Sequence, residues 1–280
     1  MLLILLFSGS IFLVSSLHPI LSSAKDGQAV SDIRRFPFVA HISIGGDLGT
    51  AVCSGSLLTP THVLTAAHCF VGYNPNAVSL VLAGALDPIG SLLEGSQVRL
   101  IKTVWIHPGW DPSGPHNDVA VVEVSAFEPT DYVNFGNIRA DDSFVQVQKP
   151  LCILGYGYTF YTDQPQSLQM GQAKIVDREA CRQAWATGCL PGSACSMRCK
   201  GATGIPCNFT ITEDEICTRG PSGVTMGDSG GPLILSHHGR VQVGIASYRG
   251  WEWGLPDVFI RVSKYCRFLE TVTRNAFKCS

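Results

Sequence analysis

Short apolar runs rich in Val, Ile and Leu recur along this chain, and clusters of Gly, Pro, Asn and Asp separate them. Examples are residues 38–44, 78–82, 120–124 and 241–246. Runs of this length between turn-forming residues are typical of β-strands joined by tight turns. The spacing fits barrels or sandwiches and does not fit repeated βαβ units. We therefore predict an all-β chain.

The size and composition of the chain fit a globular protein with a large core. The sequence has 280 residues, of which 45% are apolar and 15% charged, and this predicts one or two domains. The formal net charge is −2 and no basic run stands out. These features argue against nucleic acid as a partner.

The N-terminal segment has the pattern of a secretory signal. An apolar stretch begins at Met1 and ends near Val14, which is too short to span a bilayer. Small residues that suit cleavage occur at 14–16 and at 22–24, so we predict a signal peptide over about residues 1–24. No later segment reaches the roughly 18 to 20 apolar residues of a membrane helix. We expect a secreted, extracellular chain without a membrane anchor.

Three local motifs place a histidine, an aspartate and a serine in that order along the chain. Ser229 lies in G-D-S-G-G-P, a tight loop that can present its hydroxyl and leave neighbouring backbone N–H groups bare. His68 lies in T-A-A-H-C at the end of an apolar run, and Asp118 lies in N-D-V-A at the start of another. Taken singly, these residues also fit a core histidine, a strand cap and a turn former. Their joint occurrence favours nucleophilic catalysis.

The three motifs resemble those of the chymotrypsin-like (trypsin family) serine proteases, over about residues 36–272. The resemblance implies two six-stranded antiparallel β-barrels with a short C-terminal helix. It implies that Ser229 attacks the scissile carbonyl, that His68 takes and returns the proton, and that Asp118 holds the imidazole. The N–H groups of Gly227 and Ser229 would form the oxyanion hole, and the Ser247 hydroxyl would support the aspartate.

On this basis we expect one peptidase domain over residues 25–280. Barrel one would span about 36–135, barrel two about 143–262, and the C-terminal helix about 263–276, where the apolar residues have helical spacing. The site would then lie in the cleft between the barrels.

The sequence departs from trypsins at the primary substrate pocket. Gly223 stands where trypsins carry the aspartate that captures Lys or Arg, while Asp257 and Arg249 replace pocket glycines. If Arg249 pairs with Asp257, the pocket is partly filled and favours small or apolar side chains. If Arg249 turns to solvent, Asp257 can attract a basic residue. The expected pocket residues are Gly223, Met226, Ser247, Tyr248, Arg249 and Asp257.

Eleven cysteines in a chain with a secretory signal indicate disulfide bonds. The resemblance implies the pairs Cys53–Cys69 and Cys181–Cys217. Four cysteines lie in a long insertion between the last two and are expected to form two local bridges, namely Cys189, Cys195, Cys199 and Cys207. Three more leave an odd number, so at least one is free or pairs with another molecule. These three are Cys152, Cys266 and Cys279.

The activation segment of the family is the main departure. Relatives expose an Ile or Val whose ammonium group pairs with the aspartate before the nucleophile, here Asp228. The matching residues 24–27 read A-K-D-G, and only the glycine agrees. Asp228 would then lack its partner, and an unpaired buried carboxylate is costly. Two hypotheses follow, an active secreted endopeptidase and a catalytically inactive, protease-like binding protein.

The sequence also carries a glycosylation signal and gives expectations for cofactors and partners. Asn208 begins the sequon N-F-T and is a predicted glycosylation site. We predict no metal or organic cofactor. The expected partners are protein or peptide substrates, with protein inhibitors as a further class, and the expected form is a monomer.

Overall fold

A computed structural model describes residues 27–47, 49–88, 95–112, 114–158, 167–187, 210–235, 241–250 and 254–280. Within these ranges the chain forms fourteen strands and two α-helices. The strands are β1 (Gln28–Ala29), β2 (Val39–Gly46), β3 (Gly49–Thr59), β4 (His62–Thr65), β5 (Leu80–Ala83), β6 (Gln97–Ile106), β7 (Ala120–Val124), β8 (Asn137–Ile138), β9 (Pro150–Gly155), β10 (Gln169–Ile175), β11 (Glu215–Arg219), β12 (Pro232–Leu235), β13 (Val241–Tyr248) and β14 (Asp257–Arg261). The helices are α1 (Arg178–Thr187) and α2 (Cys266–Val272).

The strands close into two antiparallel barrels of six strands each. Barrel one has the order β2-β3-β4-β7-β6-β5, with β5 pairing back to β2. Barrel two has the order β9-β10-β11-β14-β13-β12, with β12 pairing back to β9. The short strand β1 adds to β10, and β8 adds to β13. The predicted all-β fold of two six-stranded barrels is confirmed.

Strand β2 packs one face into the core of barrel one and the other face toward barrel two. Ala40, Ile42 and Ile44 alternate along it and belong to the apolar core of barrel one. Val39, on the opposite face, belongs to a second apolar cluster that includes Leu154 of barrel two. The sequence of a strand that is buried on both faces is a nearly continuous apolar run, which is the pattern seen at 38–44.

The C-terminal segment also joins the two barrels. A 3₁₀ turn over Val262–Tyr265 leads into α2, and Leu269 of α2 is fully buried in the core of barrel one. The helix ends at Val272 and not at the predicted residue 276. Arg274 and Asn275 adopt φ values of +52° and +61°, and these left-handed conformations end the helix.

Helix α1 was not predicted from the sequence. Cys181, Ala184 and Trp185 form its buried face, at i, i+3 and i+4. The Cys181–Cys217 disulfide ties the helix to β11, and the Trp185 indole N–H donates to the Pro256 carbonyl over 3.1 Å. The helix therefore supports the segment that leads into β14.

The structure contains three disulfides among the described residues. They are Cys53–Cys69, Cys181–Cys217 and Cys266–Cys279. The Cys266–Cys279 bond pairs two of the three cysteines whose pairing the sequence left open.

The predicted leader, the four insertion cysteines and Asn208 lie outside the described residues. In the described part of the chain, no helix has the length and apolar character needed to cross a membrane.

The packing of α2 against barrel one can be tested with Leu269→Ala. We expect the free energy of unfolding to fall by about 2 to 5 kcal/mol, because a fully buried leucine leaves a cavity. Arg267→Ala is the control, since Arg267 is exposed on the same helix and its removal should cost within about 0.5 kcal/mol. Urea unfolding measures both. Equal effects of the two substitutions would contradict the role given to α2.

Candidate active site

His68 and Asp118 form a tightly bonded pair on barrel one. Strand β4 ends at Thr65, and a 3₁₀ turn over Ala67–Phe70 carries His68, with the Cys53–Cys69 disulfide beside it. The Nδ1–H of His68 donates to Asp118 Oδ2 over 2.7 Å. The backbone N–H of His68 donates to Asp118 Oδ1 over 2.8 Å. Both carboxylate oxygens thus fix the position of the histidine.

The loop before Asp118 is held on two sides. Asn117 has a left-handed φ of +58°, and its side-chain amide donates to the Gly109 carbonyl over 2.9 Å. His116 Nδ1 lies 2.9 Å from Glu215 Oε1 of β11, so this loop of barrel one is also anchored to barrel two. A strained backbone conformation persists only where such contacts enforce it.

Ser247 of β13 completes the surroundings of Asp118 from barrel two. Its hydroxyl donates to Asp118 Oδ2 over 2.5 Å, and the Asp118 side chain is fully buried. Burial by itself raises the pKa of Asp118. The neighbouring His68, with its charge and hydrogen bonds, and the Ser247 hydroxyl outweigh burial and lower that pKa.

The same pair sets the basicity of His68, whose side chain is 30% exposed. Burial lowers the pKa of His68, but the charge of Asp118 and the hydrogen bond to it outweigh burial, and the pKa is raised above its ordinary value. Because the Nδ1–H group donates its hydrogen bond to Asp118, the proton stays on Nδ1. In the neutral ring, Nε2 is therefore the nitrogen that can accept a proton.

Ser229 lies at the junction of the barrels, on the loop between β11 and β12. Its carbonyl accepts the Ser54 N–H of barrel one over 2.8 Å and lies 3.9 Å from the sulfur of Cys69, the residue after His68. Gly230 has a φ of +79°, and a Cβ there would lie 2.0 Å from Thr65 Oγ1. Only glycine permits this approach.

The backbone of this loop presents two donors. Among the described residues, the N–H groups of Gly227 and Ser229 donate no hydrogen bond. The neighbouring N–H groups are occupied, since Asp228 donates to the Thr225 carbonyl over 3.1 Å and Gly230 donates to the Ala246 carbonyl over 2.8 Å. Two bare N–H groups, one two residues before the other and the second on the serine itself, can bind an oxygen that carries negative charge.

Asp228 is fully buried, and within the described part of the chain its carboxylate accepts three hydrogen bonds. Gly157 N–H donates to Oδ1 over 2.9 Å, and the N–H and hydroxyl of Thr225 each donate to Oδ2 over 2.9 Å. A Cβ at Gly157 would lie 2.5 Å from Asp228 Cγ, so glycine is required for this approach. These hydrogen bonds offset part of the cost of burying the carboxylate.

The predicted pocket carboxylate is also engaged by backbone donors. Asp257 is only 2% exposed, and it accepts the N–H of Val224 over 2.9 Å and the N–H of Gly250 over 2.7 Å. These donors belong to two separate segments, one before the nucleophile loop and one after β13. Asp257 therefore links the two segments, and Gly223 lies buried next to Val224.

The other predicted pocket residues lie around the same junction. The ring of Tyr248 is 6.4 Å from the ring of His68, tilted by 49°. Burial, with the charges of Asp118 and Asp111, raises the pKa of Tyr248 to about 12, so this phenol stays protonated. Met226 is 56% exposed, and Arg249 is half-buried.

Sequence reasoning missed several donors of the site. Thr225, Gly157 and Ser54 carry no motif that marks them, because each acts through a contact made in the folded chain. For a metal, the described residues offer no group of three or more His, Cys, Asp or Glu side chains that could hold an ion.

A double barrel that brings a histidine, a buried aspartate and a glycine-flanked serine to one junction defines the chymotrypsin-like class of folds. A family model described as Trypsin matches residues 25–269. Because this match covers most of the chain, the chain belongs to the trypsin family of serine proteases.

Two curated proteins and one solved structure that are similar to this chain bear the names of proteases. Chymotrypsin-C of Bos taurus is 29% identical over 228 residues, covering 76% of this chain and 75% of that protein. Chymotrypsin-C of Mus musculus is 30% identical over 232 residues, covering 78% of this chain and 76% of that protein. The solved structure of HL collagenase has a TM-score of 0.72 at 25% identity, covering 90% of this chain and all of that one.

The electrostatic pairing of His68 and Asp118 can be tested with Asp118→Asn. In the unsubstituted chain we expect the pKa of His68 above 6.5, and in the variant below 6.5, because burial remains while the opposing charge is lost. An NMR pH titration of the imidazole measures both. Glu179→Gln, which removes an exposed carboxylate on α1, is the control and should leave the pKa unchanged. An unchanged value in Asp118→Asn would contradict the pairing.

Proposed function

We propose that this chain is a secreted serine endopeptidase that cleaves peptide bonds through an acyl-enzyme at Ser229. The observation that carries the proposal is the buried Asp118, which holds His68 Nδ1 over 2.7 Å and leaves Nε2 as the proton acceptor. The chymotrypsin-C and collagenase relatives bear the names of proteases, which supports peptide-bond hydrolysis. Three disulfides support an extracellular location.

In the proposed mechanism, Ser229 Oγ attacks the scissile carbonyl carbon and its proton passes to His68 Nε2. The carbonyl oxygen becomes negative and accepts the N–H groups of Gly227 and Ser229. Asp118 stabilises the imidazolium that forms. The tetrahedral intermediate collapses as His68 protonates the leaving amine, which gives the acyl-enzyme. Water then attacks the ester carbonyl carbon while His68 takes the water proton. The bond between the acyl carbon and Ser229 Oγ breaks, Oγ takes the proton from His68, and the carboxylic acid product leaves.

The three donors to Asp228 support an ordered oxyanion loop. In relatives an N-terminal ammonium group pairs with the equivalent aspartate. Among the residues that the structure describes, Gly157 and Thr225 donate to this carboxylate by hydrogen bonds of 2.9 Å. Preorganised donors are the largest electrostatic contribution to acyl transfer, so a loop held in this way favours the active enzyme over the inactive binding protein.

Ser229-dependent labelling by a fluorophosphonate tests the proposed activity. The purified secreted protein should react at one site, and Ser229→Ala should lose the reaction and lower peptide cleavage by about 10⁴-fold or more. Ser125→Ala, which removes an exposed serine beyond β7, should label like the unsubstituted protein. Absence of labelling in a folded protein would contradict the proposal and favour the inactive binding protein.

For substrate choice, we propose that the primary pocket accepts small or apolar side chains. Gly223 supplies no charge at the expected pocket floor. The carboxylate of Asp257 is buried and receives the Val224 and Gly250 N–H groups, so it acts as a structural link between the two pocket segments. Moving it to face a substrate cation would break both bonds and leave buried donors unsatisfied.

A matched panel of peptide substrates tests this pocket. We expect kcat/KM for Ala or Leu before the scissile bond to exceed that for Lys or Arg by about tenfold or more. We expect Asp257→Asn to lower kcat/KM for all substrates by a similar factor, because one of its two backbone contacts is lost. A preference for Lys or Arg that Asp257→Asn selectively removes would contradict the proposed pocket.

A further inference from the structure

Ser54 of β3 is a fully buried serine that faces the nucleophile loop across the barrel junction. Its hydroxyl donates to the Gly227 carbonyl over 2.8 Å and accepts the Tyr156 N–H over 2.9 Å. Its backbone N–H donates to the Ser229 carbonyl, and its carbonyl accepts the Thr65 hydroxyl, each over 2.8 Å. One residue of barrel one thus contacts both residues that supply the bare N–H groups.

We propose that Ser54 is a positioning residue whose hydroxyl sets the orientation of the oxyanion-binding N–H groups. This inference rests on the proposed function, and no motif of the chain points to Ser54. It adds a role for barrel one, which otherwise contributes His68 and Asp118, in shaping the part of the site that binds the developing negative charge.

The order of peptide planes in the loop connects the Ser54 hydroxyl to both bare N–H groups. The Gly227 carbonyl and the Asp228 N–H belong to one peptide plane, and the planes on either side carry the N–H groups of Gly227 and Ser229. The middle plane is held at both ends, because its carbonyl accepts from Ser54 and its N–H donates to the Thr225 carbonyl over 3.1 Å. Fixing this plane restricts rotation of both neighbouring N–H groups.

Loss of the hydroxyl would affect two buried groups. Ser54→Ala removes the donor to the Gly227 carbonyl and the acceptor of the Tyr156 N–H, and Tyr156 is itself fully buried. Because unsatisfied buried polar groups are unfavourable, the loop should move to recover a partner. A rotated Gly227 peptide would then misalign the two bare N–H groups.

Ser56 provides a matched control on the same strand. It is also fully buried, and its hydroxyl also crosses to barrel two, donating to Gln242 Oε1 over 2.7 Å. The hydrogen bond of its hydroxyl thus goes to β13 and not to residues 227–229. Ser56→Ala therefore removes a comparable hydrogen bond across the junction without touching the nucleophile loop.

The test compares kinetics and loop order in Ser54→Ala and Ser56→Ala. For Ser54→Ala we expect kcat to fall by about tenfold with KM within about twofold, which is less than the loss on deleting an oxyanion donor outright. The affinity for a peptide boronic acid, which forms a tetrahedral adduct, should fall by a similar factor. Ser56→Ala should leave both parameters close to those of the unsubstituted enzyme, even where its thermal stability drops equally.

Hydrogen exchange gives a readout that does not depend on activity. In Ser54→Ala the amides of Asp228 and Gly231, which donate to carbonyls within the loop, should exchange faster than in Ser56→Ala. The same is expected of the Gly230 amide, which donates to the Ala246 carbonyl of β13. If the two variants match in kcat, boronate affinity and exchange, the role of Ser54 is overturned. If the unsubstituted protein is not labelled at Ser229, the proposed function fails. The comparison of amide exchange in Ser54→Ala and Ser56→Ala then decides by itself whether Ser54 orders the loop.

Discussion

Buried hydrogen bonds across the junction of the two barrels hold the candidate site together. Ser247 of barrel two donates to Asp118 of barrel one over 2.5 Å, and Ser54 of barrel one donates to Gly227 and Ser229 of barrel two over 2.8 Å. Neither barrel contains a complete site. The histidine and its aspartate come from one barrel and the serine loop from the other, so these contacts set the alignment on which the proposed acyl transfer depends.

Three buried carboxylates organise the site, and each does so by accepting hydrogen bonds. Asp118 accepts from His68 and Ser247, Asp228 from Gly157 and Thr225, and Asp257 from two backbone amides. A buried carboxylate is tolerated only with such donors, and it fixes in return the segments that carry them. The resulting rigidity suits a site in which charge develops during the reaction and no reorganisation should be required.

The sequence predicted the parts of the molecule that depend on local patterns. The apolar run at 120–124 coincides with β7. Three short motifs singled out His68, Asp118 and Ser229, which the fold brings to the junction of the barrels. Where the pattern continued past the real element, the prediction was too long, as at Val78, which is 74% exposed before β5. Contacts such as that of Gly157 with Asp228 join residues 71 positions apart, so only the folded chain brings them together.

The most direct measurement is a crystal structure of the protein after reaction with a peptide phosphonate. If Ser229 is the nucleophile, we expect a covalent bond from phosphorus to Ser229 Oγ. We also expect one phosphonyl oxygen within hydrogen-bond distance of both the Gly227 and the Ser229 N–H groups. An unmodified Ser229, or an adduct whose oxygens contact only solvent, would contradict the account.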